Sequence, residues 1–280
     1  MTSTGLKIIA LIFMLIDHVS SFIPGMPTYL HWIGRLSAPI FIFCIVWGFQ
    51  YTKSKKEYLI RLYLASLVMA IIQYSLQIDN NFFRTLFSIG LIISLIDSYK
   101  EHKNFKYIGL YFIWQAVSIA INILSFKIPW LSDDFCVNIL PAIFGNVFYV
   151  EGGLVFVLLG VLFYLTKSNK KVFTLSYTLF CMLYFLATAT SILPIVIGKM
   201  EYYDLRPLKN IANYTLDVII RISPMSVGGS ILFQNYQWMM IGALPFMLAY
   251  NKKPGKKLKY SFYVFYPIHI IVLYYIGKLM

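Results

Sequence analysis

Leu6-Lys7-Ile8-Ile9-Ala10-Leu11-Ile12-Phe13-Met14-Leu15-Ile16-Asp17-His18-Val19-Ser20-Ser21-Phe22-Ile23 is an apolar run with one lysine at its start and an aspartate–histidine couple near its end. About 17–25 apolar residues are needed to cross a bilayer as a helix, so this stretch reads as a membrane-crossing helix. It lacks an Arg/Lys-rich head and a small-x-small cleavage site, which makes it a retained helix and not a secretion signal. Asp17 and His18 lie inside it, where ionisable groups are costly and are kept only with partners or a task.

The rest of the chain has the same character. Of 280 residues, 59% are hydrophobic and only 12% charged, with a mean hydropathy of +0.72. Soluble domains carry roughly 25% charged residues, so this chain cannot cover a globule with polar surface. A soluble enzyme on a single anchor is excluded because the apolar residues extend along the whole length, and a disordered or fibrous protein is excluded as well. Hydropathy divides the chain into about nine spans, at roughly 6–23, 31–51, 58–77, 83–98, 107–126, 151–166, 172–198, 234–250 and 260–279. The stretches 127–150 and 199–233 are too broken by proline and charge to span, and read as extracytoplasmic or re-entrant. The fold class expected is all-α, a single polytopic bundle over residues 1–280.

Charge gives the orientation. Lys53/Lys55/Lys56, Lys100/Lys103/Lys106, Lys167/Lys170/Lys171 and Lys252/Lys253/Lys256/Lys257/Lys259 all fall on one side under a nine-span reading. With Lys7 and Arg61 they make sixteen of the 24 Lys and Arg residues. Cytoplasmic loops carry that excess, so the N-terminus is placed inside and the C-terminus outside. The net charge of +13 is thus a topological signal, with no basic arm or RNA-binding aromatic motif beside it to suggest nucleic acid. Cys44, Cys136 and Cys181 have neither disulfide-framework nor metal-ligand spacing, and no metal is expected. Walker, dinucleotide, Gly-x-Ser-x-Gly and His-Glu-x-x-His motifs are missing, as are the paired broken helices of a secondary transporter.

The buried ionisable residues then carry the functional reading. Neighbours on a helix point roughly 100° apart, so Asp17 and His18 need separate partners. Arg35 lies at a matching depth in the second span, on the face of His31. The two spans are joined by a short Pro/Gly-rich turn, which predicts an Asp17–Arg35 ion pair. The last span carries Phe262-Tyr263-Val264-Phe265-Tyr266-Pro267-Ile268-His269. Tyr266 and His269 share a face there, and Pro267 removes a backbone hydrogen bond. His18 and His269 fall about 18 Å and about 14 Å from the inner boundary, comparable depths near mid-bilayer. Two imidazoles at one level can exchange protons near neutral pH. The bland alternative, in which each merely hydrogen-bonds a neighbouring helix, is about as good for either one alone. Arg84 reads as snorkelling, Glu151-Gly152-Gly153 as a helix cap, Asn235-Tyr236-Gln237-Trp238 as an interfacial anchor, and Asp217/Arg221 as an i,i+4 pair.

Leu6-Lys7-Ile8-Ile9-Ala10…Leu15-Ile16-Asp17-His18, with Ile33-Gly34-Arg35-Leu36-Ser37-Ala38-Pro39-Ile40-Phe41-Ile42-Phe43 and Gly48-Phe49, resembles the start of the TraX family. Asn235-Tyr236-Gln237-Trp238…Pro245-Phe246…Tyr250-Asn251 and Lys259-Tyr260…Phe265-Tyr266-Pro267-Ile268-His269 resemble its end. These motifs cover roughly half the chain, and the middle, about 100–230, matches in hydropathy alone. The resemblance implies N-acetylation of a mature conjugative pilin subunit from acetyl-CoA. More widely, it implies kinship with membrane acyltransferases that carry acyl groups from cytosolic acyl-CoA to extracytoplasmic acceptors, a peptide N-terminus or a glycan. An intramembrane histidine and a nearby arginine are catalytic in that group, which falls here on His18 and Arg35, with His269 a further candidate.

On that resemblance the expected function is acetyl transfer at the inner membrane, to an amine or hydroxyl. The nucleotide of acetyl-CoA would meet the basic loops at Lys53, Lys55, Lys56, Lys256, Lys257 and Lys259. A narrow tunnel would bring the thioester to the histidines, since an extended pantetheine arm reaches on the order of 15–20 Å. A histidine would take the acceptor's proton and Arg35 would steady the oxyanion, or Tyr266 would if Arg35 is committed to Asp17. A non-catalytic carrier or channel for a small solute or proton explains the buried Asp, His and Arg as well, and tight CoA binding separates the two. A purely structural membrane chaperone is the third alternative.

Overall fold

The computed structural model describes every residue except 221, 223–228, 257 and 259. Among the described residues all regular structure is helical. The helices in chain order are α1 (Ser3–Phe22), α2 (Tyr29–Gly34), α3 (Ser37–Tyr51), α4 (Lys55–Leu76), α5 (Phe82–His102), α6 (Lys106–Ser125), α7 (Leu140–Phe144), α8 (Gly153–Thr166), α9 (Lys170–Thr188), α10 (Ile192–Tyr202), α11 (Arg206–Tyr214), α12 (Leu244–Leu248) and α13 (Ser261–Leu279). By length and composition, seven segments are apolar enough to cross a membrane: α1, Tyr29–Tyr51 (α2 with α3), α4, α5, α6, α9 and α13. The chain is a multi-pass membrane protein.

Two of the expected crossings take a different form. The 151–166 span is α8, 14 residues long, shortened because Gly152, just before it, and Gly153, its first residue, both adopt positive φ (75° and 64°). The 234–250 span is a 3₁₀ segment, Gln237–Ala243, followed by the short α12 with Pro245 in its first turn. The long span expected over 172–198 breaks at Ala189–Ser191 into α9 and α10. Beyond it, α10 and α11 are joined by an ion pair in which Lys209 Nζ donates to Glu201 Oε2 at 2.5 Å. That ammonium holds the Glu201 carboxyl below its usual range. The Asp217/Arg221 pair read from sequence involves a residue outside those described.

The lipid-facing sides are visible as apolar stripes left uncovered. On α4 the stripe is Ile60, Leu64, Val68 and Ile71, at helical spacing and 44–60% exposed. On α13 it is Val264, Ile268, Val272 and Tyr275, while Tyr266, His269, Ile270 and Leu273 are buried on the other side. Such stripes belong against hydrocarbon, and the opposite faces make the packed interior.

The chain forms two compact units. The first comprises Met1–Cys44, Leu165–Val218 and Ile222–Met280, the second Ile45–Tyr164 with Ile219–Arg221. In the first, the amides that open α1 would have no intrahelical acceptor. Ser3 and Thr4 donate them to the carbonyls of Lys253 and Pro254 (2.9 and 3.1 Å), and the Thr4 hydroxyl also reaches the Pro254 and Lys256 carbonyls. This loop leads into α13, so α1 and α13 start at the same end. They meet again at the other, where Gly277 lies against the Phe22 backbone. The two helices are therefore parallel neighbours.

In the second unit, α4 and α5 pack as an antiparallel pair. Their interior holds a polar cluster. Arg84, 3% exposed, donates to the Tyr149 carbonyl (2.7 Å), Gln73 Oε1 (2.8 Å) and the Asn138 carbonyl (3.3 Å). Asn81 Nδ2 donates to Gln73 Oε1 (2.9 Å) and to the Ser66 carbonyl (3.0 Å). Arg84 thus does not snorkel as expected; the 138–151 segment folds over it and supplies its acceptors. Glu151 caps a helix, but not its own, because its Oε2 accepts the Asn81 amide at the start of α5 at 2.6 Å. A carboxylate there complements the helix dipole.

Candidate functional site

Pro39, in the first turn of α3, has no N–H for the carbonyl of Arg35, and the helix accordingly turns at Arg35–Leu36 between α2 and α3. The break places Arg35 at the end of α2, against α1. Approach is close because residue 34 is glycine: a Cβ there would lie 2.3 Å from Asp17 Cβ. Asp17 and Arg35 form the ion pair expected from the sequence, with Arg35 Nη2 donating to Asp17 Oδ1 and Oδ2 (2.8 and 3.1 Å).

His31 and Gln237 complete this cluster. His31 Nδ1 donates to Asp17 Oδ1 at 2.8 Å, and Arg35 Nη1 donates to Gln237 Oε1 at 3.0 Å. Tyr236 stacks on the His31 ring (8° between planes) and lies under the Arg35 guanidinium at 5.3 Å. The Asn235-Tyr236-Gln237-Trp238 motif, read from sequence as an interfacial anchor, therefore supplies a wall of the site. His31 escaped selection, although its i,i+4 relation to Arg35 was the available signal. Arg35 Nε is buried and makes no hydrogen bond among the described residues.

The histidines meet beside this cluster, at the residue after Asp17. His18 Nδ1 and His269 Nε2 are 2.6 Å apart, with the rings 4% and 6% exposed. The ring planes agree within 4° and the centroids are 4.9 Å apart, so the contact runs edge to edge in one plane. Geometry decides the tautomers. His269 Nδ1 lies 2.9 Å from the Phe265 carbonyl, which only accepts, so Nδ1 carries the hydrogen. In the neutral ring His269 Nε2 then accepts, and His18 Nδ1 donates to it. His18 is left with its lone pair on Nε2. Tyr266 stands beside both rings, at 6.1 Å from His18 and 5.6 Å from His269.

His18, His269, Tyr266, Asp17 and Arg35 are thus gathered in one unit. The lysines read as cofactor contacts are divided between the two units. Lys55 is engaged by Asp97 Oδ2 at 2.7 Å in the second unit. Lys53 and Lys56, in the same unit, and Lys256, in the first, are exposed. Lys257 and Lys259 lie outside the described residues. No cluster of three or more His, Cys, Asp or Glu suited to a metal occurs among the described residues.

Among known protein families, the model described as TraX protein matches residues 3–277, nearly the whole chain. Neither the curated proteins nor the solved structures compared with it give a match.

Proposed function

The chain belongs to the TraX family, and from that premise we propose that it is an acyltransferase of the cytoplasmic membrane, moving acetyl from cytosolic acetyl-CoA to an amine or hydroxyl of an extracytoplasmic peptide or glycan. The observation that carries the reading is the buried His18–His269 pair, with His18 Nε2 in the form of a base.

In the reaction, the acceptor's N–H or O–H proton passes to His18 Nε2 as its heteroatom bonds to the thioester carbonyl carbon. His18 then shares its positive charge through Nδ1–H with His269, whose own Nδ1–H is held by the Phe265 carbonyl. The carbonyl oxygen becomes an oxyanion, and Arg35 Nε, a buried donor with no hydrogen-bond partner among the described residues, is the group to receive it. Collapse breaks the C–S bond, and the proton on His18 leaves with the thiolate as CoASH. Asp17 and Gln237 hold the guanidinium in place. Lys256, exposed and in the same unit as the histidines, is the cation we assign to the donor's phosphates.

The topology that serves this reaction has nine crossings, with the N-terminus inside. If α8 failed to cross, the Lys167–Lys171 loop would lie outside. If α8 crossed and Gln237–Leu248 did not, the loop at Lys252–Lys256 would lie outside. The two short elements therefore cross together. The parallel course of α1 and α13 fits an odd number of crossings, seven or nine alike, and the basic loops favour nine.

Labelled acetyl-CoA incubated with the purified protein in proteoliposomes tests the reading. Transfer to an added amine or glycan acceptor is expected, lost on His18→Ala. Turnover that is unchanged in that variant would refute the site.

A further inference from the structure

The second unit contains a cavity of about 530 Å³, the size of a small-molecule site, and of the candidate site residues only Lys56 lines it. On α4 its wall is Lys56, Leu59, Ile60 and Tyr63, the i, i+3, i+4, i+7 face of one helix. On the antiparallel α5 it is Phe87, Leu91 and Ser94. The Tyr63 and Phe87 rings meet at one end, tilted by 48° with centroids 5.3 Å apart, so Lys56 and Ser94 lie together at the other. From Lys56 to Tyr63 the shaft runs about 10 Å along α4.

Its chemistry is graded along that length. At the Tyr63 end every polar side chain is turned to the backbone of 143–147. Tyr63 Oη donates to the Ile143 carbonyl (2.7 Å) and Trp114 Nε1 to the Phe144 carbonyl (2.8 Å). Gln115 Nε2 donates to the Gly145 carbonyl (3.1 Å), and its Oε1 accepts the Val147 amide (3.0 Å). What remains facing the cavity there is hydrocarbon and ring. At the other end stands a cation. Its neighbour Lys55 is paired with Asp97, and Arg61 with Glu57, but Lys56 makes no ion pair or side-chain hydrogen bond among the described residues. It also occupies the first turn of α4, where the helix dipole adds to its attraction for an anion.

The shaft opens sideways. Ile60, Trp114 and Ile143 are 44%, 47% and 44% exposed, and Ile60 begins the lipid-facing stripe of α4. The molecules on that side are bilayer lipids. We propose that this cavity binds one acyl chain of an anionic phospholipid, with the chain lying along Leu59, Ile60 and Leu91 and the phosphate on Lys56. A zwitterionic lipid would bring its own cation to Lys56, and a fully soluble anion would leave the apolar shaft empty.

The full-length protein, purified in detergent and offered phosphatidylglycerol and phosphatidylcholine of identical chains, gives the test by native mass spectrometry. The wild type should retain phosphatidylglycerol in preference. Lys56→Gln should reduce that preference about fivefold, the value of one lysine near a lipid phosphate, whereas Lys53→Gln should leave it unaltered. Ile60→Trp, which fills the shaft from an already exposed position, should lose the retained lipid of either kind. An unchanged preference in Lys56→Gln, an equal fall in Lys53→Gln, lipid retained by Ile60→Trp, or displacement of the lipid by CoA would each overturn the proposal. No acyl transfer enters the measurement, so its outcome is independent of the catalytic reading.

Discussion

The Cβ that Gly34 lacks would stand 2.3 Å from Asp17 Cβ and 2.4 Å from its Oδ1, closer than side-chain atoms ever pack. Contact between α1 and α2 is therefore set by an absent methyl, and that contact holds the Asp17 carboxylate under Arg35. In Gly34→Ala the carboxylate must move. The expected cost is about 1–3 kcal/mol of stability from overpacking, read as a lower thermal midpoint of the purified protein. Acetyl transfer should fall further than the midpoint shift explains, since the guanidinium loses its anchor.

Asp17 accepts from Arg35 and His31 at once, so its neutralisation leaves two donors facing an amide. Asp17→Asn should destabilise on the order of 2 kcal/mol, the range for hydrogen bonds to charged groups. The pair is 16–26% exposed, so the larger penalties of fully buried ion pairs do not apply. Asp17→Arg with Arg35→Asp should recover part of the loss, because Gln237 can present its amide to a carboxylate at 35. A double-mutant cycle gives a coupling energy of about 1 kcal/mol or more if the two side chains interact as described. Simple additivity would contradict it.

Helical counting was sufficient to find these residues before the fold was known. Depth matching across a short turn gave Asp17–Arg35, and counting residues inward from two basic loops put His18 and His269 at one level. Both arguments use only the helix rise and a hydrocarbon slab. Arg84 defeated the same argument because its acceptors come from Asn138 and Tyr149, more than fifty residues away, and depth alone says nothing about a segment that folds back. Glu151 was read as a cap for the helix that follows it, whereas it caps the start of α5, a pairing visible only in three dimensions. The break at Arg35 could have been anticipated from Pro39, four residues on.

Arg84 answers to Tyr149, Gln73 and Asn138 with a fork whose donors point in fixed directions. Lysine keeps the charge but not the fork, so Arg84→Lys should fall well short of restoring what Arg84→Met loses. Removal of a buried charge's hydrogen-bonded setting is worth about 3 kcal/mol or more. Both variants should unfold at lower temperature. If Arg84→Lys matched the wild type, the charge and not the geometry would be the stabilising element.

Gly277 approaches the chain more closely than Gly34 does: a Cβ there would lie 1.9 Å from the Phe22 carbonyl oxygen. A side chain can rotate out of the way, but a helix carbonyl can move only with its helix. Gly277→Ala must therefore separate α13 from α1, and the 2.6 Å His18–His269 bond depends on that spacing. Gly109 and Gly198 supply the contrast, as a Cβ at either would meet nothing within 4 Å. Alanine at those two sites should be neutral or stabilise by about 0.5–1 kcal/mol through the higher helix propensity of alanine. Thermal midpoints for the three variants, measured side by side with acetyl transfer, separate propensity from packing. Gly277→Ala should lower both readings, and wild-type turnover in that variant would mean that the histidine pair does not require the tight α1–α13 contact.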